Sequence, residues 1–111
     1  LASTASIDSG TFVARNVAVN PLVSVGKNSI LNTSCTIDHE CLIGNNVHIA
    51  PGAVLAGNVI VHDGAFIGAN AVVKQGVTIG RNAIVGAGSV VLRNIEANQV
   101  VVGNPARILM R

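Results

Sequence analysis

Branched aliphatic residues recur at every sixth position along almost the whole chain. Divided into sixes from Ala5, the sequence gives fifteen hexads up to Asn94 without an insertion, and the third residue of every hexad is Val, Ile or Leu. The first residue of each hexad is always Ala, Ser, Thr, Cys or Val. An amphipathic helix would require a period of about 3.6 residues. A fixed period of six instead predicts a solenoid built from short, repeated strands.

The positions within each hexad predict which side chains face the core. Because side chains alternate along a strand, the first and third positions are expected to point inward and the second outward. The fourth and fifth positions are rich in Gly, Asn, Asp and Pro, which favours a turn at each corner. Glycines at the fourth position are expected to take a positive φ. These glycines are Gly26, Gly44, Gly68, Gly80 and Gly86.

The composition narrows the fold further. Of the 111 residues, 50% are hydrophobic but only 2% are aromatic, and Trp and Tyr are missing. Aromatic rings supply much of the bulk in most cores, so this core is expected to be narrow and filled by Val, Ile, Leu and Ala. The length predicts a single domain over residues 1–111.

Charge and hydropathy argue against two classes of partner. The net charge is +2 and the basic residues are dispersed, which with so few aromatic residues argues against nucleic-acid binding. No apolar run reaches the ~18 residues of a membrane span, and no signal peptide is visible. For Cys35 and Cys41, a disulfide or half a metal site is an alternative. Reduced core residues in a cytoplasmic protein are the favoured interpretation.

Ionisable residues concentrate in the stretch TIDHECLIGNNVHIAP. His39 occupies a fifth position, with Asp38 and Glu40 beside it, and His48 occupies a second position on a flat face. Taken alone, a corner histidine is more often a solvated surface residue than a catalytic one. The histidines of the chain also lack the spacing of metal ligands, so no metal site is expected.

The hexads resemble those of the hexapeptide-repeat family, whose members fold as a left-handed parallel β-helix. Three hexads make one triangular coil in that family. The resemblance therefore implies an all-β fold of about five coils over residues 5–94 and a C-terminal cap over residues 95–111 that protects the last strand edge. Residues 18 apart then stack at roughly 4.8 Å, which makes His39 and Gly57 neighbours. His48 falls on another face, where a neighbouring subunit would be needed to unite it with His39.

Three segments of the chain resemble the catalytic domain of a bacterial sugar acetyltransferase. They are IDHECLIGNNVHIAPGAVLAGNV, VGAGSVVLRNI and VVGNPARIL. The group concerned is the sialic-acid O-acetyltransferase and nucleotide-activated amino-sugar N-acetyltransferase family (NeuD/PglD-like). The resemblance implies that His39 is the general base with Glu40 beside it. It also implies that His48 lies in the active site and that the N–H of Gly57 meets a thioester carbonyl. Full-length members carry an N-terminal sugar-binding domain, which is expected to be absent here.

The resemblance further implies acetyl-CoA as cosubstrate, with direct transfer to an amino group of a nucleotide-activated sugar. We expect acetyl-CoA to lie between the His39 edge of one chain and the Ala69 and Ala87 edge of its neighbour, with Arg107 and Arg93 near the phosphates. Outward residues are too apolar for free solvent, which favours a homotrimer. These residues are Phe12, Ile30, Leu42, Val54, Ile60, Phe66, Val72 and Ile84.

Several alternatives stay open from the sequence. An O-acetyltransferase acting on sialic acid or another sugar hydroxyl would use the same domain. A non-catalytic trimeric β-helix scaffold would use the solenoid alone, and a carbonic-anhydrase-like metalloenzyme would need three zinc-binding histidines at a subunit interface. Asp38 is the alternative to Glu40 as the carboxylate that orients His39. An acyl-enzyme at Cys35 or Cys41 is disfavoured, because first-position side chains point inward.

Overall fold

Fifteen two-residue strands wind into a triangular solenoid in the computed structural model, which describes residues 1–110. Each of these strands occupies the second and third positions of a hexad, and successive strands fall on three parallel sheets in rotation. The solenoid measures 37 × 22 × 20 Å. Within residues 1–110 there is no helix of the length and apolarity needed to cross a membrane. The predicted all-β solenoid of about five coils is confirmed.

The strands divide among the three faces of the prism. The first sheet contains β1 (Ser6–Ile7), β4 (Ser24–Val25), β7 (Leu42–Ile43), β10 (Ile60–Val61) and β13 (Thr78–Ile79). The second contains β2 (Phe12–Val13), β5 (Ile30–Leu31), β8 (His48–Ile49), β11 (Phe66–Ile67), β14 (Ile84–Val85), β16 (Val100–Val102) and β17 (Arg107–Met110). The third contains β3 (Ala18–Val19), β6 (Thr36–Ile37), β9 (Val54–Leu55), β12 (Val72–Val73) and β15 (Val90–Val91).

The register between coils places residues 18 apart side by side, for example His48 beside Phe66. Backbone N–H groups donate to carbonyls of the next coil, as from Asp38 to Leu55 at 3.0 Å. From Val23 to Val91 the first-position and third-position residues are all buried. The predicted stacking of three hexads per coil, and the inward direction of these two positions, are confirmed.

The corner conformation differs from the prediction made for the fourth position. Positive φ occurs at the sixth position instead, with values from 56° to 78° in the hexads up to residue 88. Asn and Gly, which tolerate this left-handed region best, fill most of these sites, and Leu22, Ser34 and Glu40 are the exceptions. Fourth-position glycines provide space: a Cβ on Gly68 would lie 2.6 Å from the backbone nitrogen of Ala87. Close stacking of successive corners therefore explains these glycines.

The C-terminal segment continues the winding and covers the end of the solenoid. β16 adds parallel to β14, and β17 pairs with β16 in the antiparallel direction. Ile95 forms a bridge to Ile79 of the first sheet. The N–H of Ala106 donates to the carbonyl of Val90 on the third sheet at 2.8 Å. All three sheets are covered at this end, as predicted for the cap, and Arg111 lies outside the described residues.

Candidate active site

Fifth-position residues stack into three edges of the prism. The His39 edge, between the third and first sheets, consists of Pro21, His39, Gly57, Gln75 and Arg93. The imidazole of His39 lies over Gly57, because a Cβ placed on Gly57 would be 2.5 Å from Nε2 and 2.6 Å from Cε1 of the ring. Gly57 is buried, whereas the other members of this edge are exposed. Any side chain at residue 57 would therefore displace the ring.

Glu40 holds one side of the imidazole. Nδ1 of His39 lies 3.3 Å from Oε1 of Glu40, and the two side chains are 47% and 52% exposed. An exposed pair of this kind contributes little stability, so its consequence is orientation. When Nδ1–H donates to the carboxylate, Nε2 is unprotonated beside Gly57, which is the tautomer that a general base requires. Of the two carboxylates predicted as orienting groups, Glu40 is the one that contacts the ring.

Asp38 braces the backbone that carries the ring. Its Oδ1 accepts the backbone N–H of His39 at 2.7 Å and the side-chain amide of Asn20 at 3.3 Å. Asn20 occupies the same hexad position one coil earlier. Asp38 therefore fixes the corner, while Glu40 fixes the imidazole.

The backbone N–H of Gly57 is an unused donor beside the imidazole. Within residues 1–110 it has no hydrogen-bond partner, and the preceding residue, Ala56, offers no side-chain acceptor. The N–H of His39, by contrast, donates to Asp38. A fixed N–H next to a base can stabilise the negative charge that develops on a carbonyl oxygen during acyl transfer.

His48 lies on the second sheet, across the prism from the His39 edge. Its ring packs edge-on against Phe66, with ring centroids 5.1 Å apart and an interplanar angle of 81°. Its Nε2 lies 3.3 Å from the side-chain amide of Asn32, a contact that the hexad pattern did not predict. As expected, one chain does not bring His48 and His39 together.

Ala69 and Ala87 lie on another edge, between the second and third sheets, which they share with Arg15, Thr33 and Pro51. Every fifth-position side chain on the second half of this edge is small. The third sheet separates this edge from the His39 edge. Within one chain, therefore, the predicted alanines do not line the same groove as His39.

Arg93, at the C-terminal end of the His39 edge, and Arg107, at the start of β17, lie around the same cavity. This cavity has a volume of about 350 Å³, and its walls include Leu92 and Pro105. Arg93 stacks three coils beyond His39, roughly 14 Å along the axis. The structure thus places two cations that were predicted to face phosphates around one cavity, and Arg93 is the one that lies on the edge carrying the imidazole.

The two cysteines are free and buried. Burial raises the pKa of the Cys35 thiol to about 11, and burial likewise raises the pKa of the Cys41 thiol. A protonated thiol is a poor nucleophile. The site therefore favours direct transfer over an acyl-cysteine intermediate. Among the described residues, no three His, Cys, Asp or Glu side chains cluster as metal ligands would.

Several solved bacterial proteins are similar to this chain. The acetyltransferase domain of PglB from Neisseria gonorrhoeae, solved also with acetyl coenzyme A, is 32% identical, with a TM-score of 0.84 over 96% of this chain and 55% of that chain. A mutant of perosamine N-acetyltransferase from Caulobacter crescentus, in complex with CoA and GDP-perosamine, is 34% identical, with a TM-score of 0.83 over 98% of this chain and 55% of that chain. WeeI from Acinetobacter baumannii is 36% identical, with a TM-score of 0.75 over 96% of this chain and 56% of that chain.

This chain spans just over half the length of those three proteins. No curated protein matches it. The family described as bacterial transferase hexapeptide (six repeats) matches residues 22–57, 40–75 and 58–93. These overlapping matches cover the hexads from Leu22 to Arg93, including the whole stretch around His39 and Gly57. The resemblance inferred from the motifs is confirmed, and the chain belongs to the bacterial transferase hexapeptide family.

Proposed function

We propose that this chain transfers the acetyl group of acetyl-CoA to an amino group of a nucleotide-activated sugar. The observation that carries the proposal is the imidazole of His39 lying over Gly57, whose N–H has no partner within residues 1–110. A base and an oxyanion donor side by side are what acyl transfer requires. The similar solved proteins, one bound to acetyl coenzyme A and one to CoA and GDP-perosamine, support the choice of substrates.

His39 acts as the general base in this proposal. Its Nε2 accepts a proton from the attacking amine as the amine nitrogen bonds to the acyl carbon and the C–S bond breaks. Glu40 accepts the hydrogen bond of Nδ1–H and so stabilises the imidazolium that forms. Acetyl-CoA supplies the acyl group and a thiolate leaving group, so the chain needs no covalent intermediate.

Gly57 and Asp38 complete the machinery on the same edge. The N–H of Gly57 donates to the thioester oxygen as negative charge develops there. Asp38 holds the backbone of His39 through the 2.7 Å bond to its N–H, which keeps the ring above Gly57. Arg93 lies further along this edge and lines one cavity with Arg107 of β17, and both are proposed to meet the phosphates.

We propose that a neighbouring subunit of a homotrimer forms the opposite wall of the groove. The second sheet presents apolar side chains to the outside, with Phe12 61% and Ile84 43% exposed, and such a surface favours burial against a copy of the chain. That neighbour would bring His48 and the small Ala69 and Ala87 edge to the bound cosubstrate. Free thiols agree with a reducing compartment, and we propose a cytoplasmic location.

A coenzyme A release assay with a panel of amino and hydroxy sugar nucleotides tests the proposal. His39→Ala is expected to lower kcat by at least ~10²-fold, because the proton acceptor is lost. His62→Ala is the matched control, since His62 is an exposed corner histidine on another edge, and it should retain full activity. Equal activity of the two variants would defeat the role of His39. Release with hydroxy sugars alone would establish O-acetylation in place of N-acetylation.

A further inference from the structure

The peptide between Ala56 and Gly57 carries the unused N–H on one side and a carbonyl on the other. The thiol of Cys41 donates to that carbonyl, with the sulfur 3.1 Å from the oxygen. Within residues 1–110 the Ala56 carbonyl accepts no backbone N–H. The side chain of Cys41 is therefore the group that holds this peptide from the interior.

The next corner of the His39 edge lacks this arrangement. There the carbonyl of Lys74 accepts the N–H of Val77 at 3.3 Å, and Val59, which takes the place of Cys41, has no donor. A similar contact occurs on another edge, where the hydroxyl of Ser29 donates to the carbonyl of Gly44 at 2.9 Å. A polar first-position side chain can thus hold the corner 15 residues further on, and Cys41 does so at the corner of Gly57.

We propose that Cys41 is a positioning residue for acyl transfer, whose thiol orients the Ala56–Gly57 peptide and so directs the Gly57 N–H at the substrate carbonyl. This inference rests on the proposed function. Because a peptide unit is planar, a bond that holds its carbonyl also holds its N–H. A carbonyl that accepts a hydrogen bond is polarised, which strengthens the donor at the other end of the peptide.

The state of the thiol fits this role. Cys41 is buried and free of any disulfide, and burial raises the pKa of its thiol. The proton therefore stays on sulfur at neutral pH, where it is available to the Ala56 carbonyl. A thiolate there would repel the carbonyl oxygen and would turn the peptide away.

Three substitutions of Cys41 separate hydrogen bonding from packing. Ala, Val and Ser all occur at the first position elsewhere in this chain, at Ala53, Val47 and Ser29, so the solenoid accepts each of them. Cys41→Ala and Cys41→Val remove the donor, and we expect kcat to fall about fivefold with both KM values unchanged. Cys41→Ser keeps a donor, and we expect kcat within twofold of the unsubstituted chain.

Cys35→Ala is the matched control, because it removes a buried sulfur from the same hexad position without touching the Ala56–Gly57 peptide. Its kcat should be unchanged in coenzyme A release, whereas thermal unfolding should report similar losses for both Cys→Ala variants. The inference is overturned if Cys41→Ala and Cys41→Val keep full kcat, if Cys41→Ser is as slow as they are, or if Cys35→Ala is equally slow. In each of those cases the unsubstituted chain still releases coenzyme A, whereas its failure to do so would overturn the proposed function as well.

Discussion

The His39 edge and a second corner edge use one backbone geometry in two ways. The Asp63 edge, between the first and second sheets, consists of Ser9, Lys27, Asn45, Asp63 and Arg81. At two steps of that edge a side chain accepts the N–H of the corner one coil earlier. The N–H of Lys27 donates to Oδ1 of Asn45 at 2.8 Å, and the N–H of Asn45 donates to Oδ1 of Asp63 at 2.8 Å.

The His39 edge breaks this ladder at one step. Gly57 stands where Asn45 or Asp63 would supply an acceptor, and the ring of His39 occupies the space that a side chain would fill. The N–H of His39 donates to Asp38 instead. The N–H of Gly57, which receives no acceptor from Gln75 one coil later, lacks a partner within residues 1–110. The N–H of Asp63 also lacks a partner within those residues, so the feature that sets Gly57 apart, and that points to chemistry, is a free N–H lying beside an imidazole.

Gly57→Ala should produce the largest effect, because it would make the His39 edge resemble an ordinary corner. The added Cβ would lie 2.5 Å from Nε2 of His39, so the ring must leave its place beside the N–H. We expect kcat/KM for acetyl transfer to fall by about 100-fold. Arg81→Ala, at a corner of the Asp63 edge, should leave kcat/KM unchanged. Full activity of Gly57→Ala would remove the distinction between the two edges.

Glu40→Asn should separate orientation from stability on the His39 edge. Glu40 has φ 61°, a conformation that Asn tolerates better than Glu. We expect the free energy of unfolding to rise by about 0.5 kcal/mol and kcat to fall by about tenfold, since the imidazole loses its carboxylate. Steady-state kinetics and urea unfolding on the same preparation measure both changes.

Ser34→Asn is the matched control for that trade-off. Ser34 has φ 60° and lies at the sixth position of a corner on the edge that carries Ala69 and Ala87. It should gain similar stability without loss of kcat. A comparable loss of kcat in Ser34→Asn would mean that corner strain, and not the carboxylate of Glu40, supports catalysis.

Asp63→Ala should have the converse effect on the Asp63 edge. The N–H of Asn45 would lose its acceptor, and we expect the free energy of unfolding to fall by about 1 kcal/mol. Catalysis per folded molecule should not change, because nothing on this edge touches the proposed substrates. Urea unfolding at neutral pH, with kcat measured well below the transition, tests both parts. A drop in kcat would show that the two edges are coupled.

The repeat made most of this fold predictable, because a sixfold pattern of aliphatic residues constrains every coil in the same way. The prediction failed for the fourth-position glycines, where the limiting factor is the backbone of the next coil against Gly68 and not φ. The signal for positive φ was present at the sixth position. Asn recurs there at Asn16, Asn28, Asn46, Asn58, Asn70 and Asn82.

The sequence predicted which residues of the site are neighbours in successive coils, but not which side chains contact each other. The 18-residue register places His39 beside Gly57, but the choice between Glu40 and Asp38 depends on side-chain rotamers that no spacing encodes. The hydrogen bond from the Cys41 thiol to the Ala56 carbonyl was not predicted from the sequence, because a cysteine at the first position is indistinguishable from the other small residues of the core. The signal that would have found it is a polar atom at a first position, 15 residues before a fourth-position carbonyl at a corner.

Alkaline titration should give the smallest change in stability, and it compares the buried side chains that hold one corner of each edge. Cys41 holds a corner of the His39 edge, whereas Ser29 holds a corner of the Asp63 edge through a hydroxyl that does not titrate in this range. Burial raises the pKa of the Cys41 thiol in the folded chain. As the pH rises past the ordinary pKa of a thiol, the unfolded chain therefore releases this proton while the folded chain keeps it. Stability from this group is therefore complete below about pH 8.5 and declines as the pH rises.

In a Cys35→Ala background, which removes the other raised thiol, we expect the free energy of unfolding to fall between pH 7 and pH 9 because of Cys41, by at most roughly 0.8 kcal/mol. Adding Cys41→Ser should abolish that decline, since both edges would then be held by hydroxyls. Urea unfolding of the two proteins at both pH values isolates the difference, because all other titrating groups are shared. Parallel pH dependence in the two proteins would mean that the thiol of Cys41 titrates alike in the folded and unfolded chain, and so is not held in the dry interior beneath Gly57.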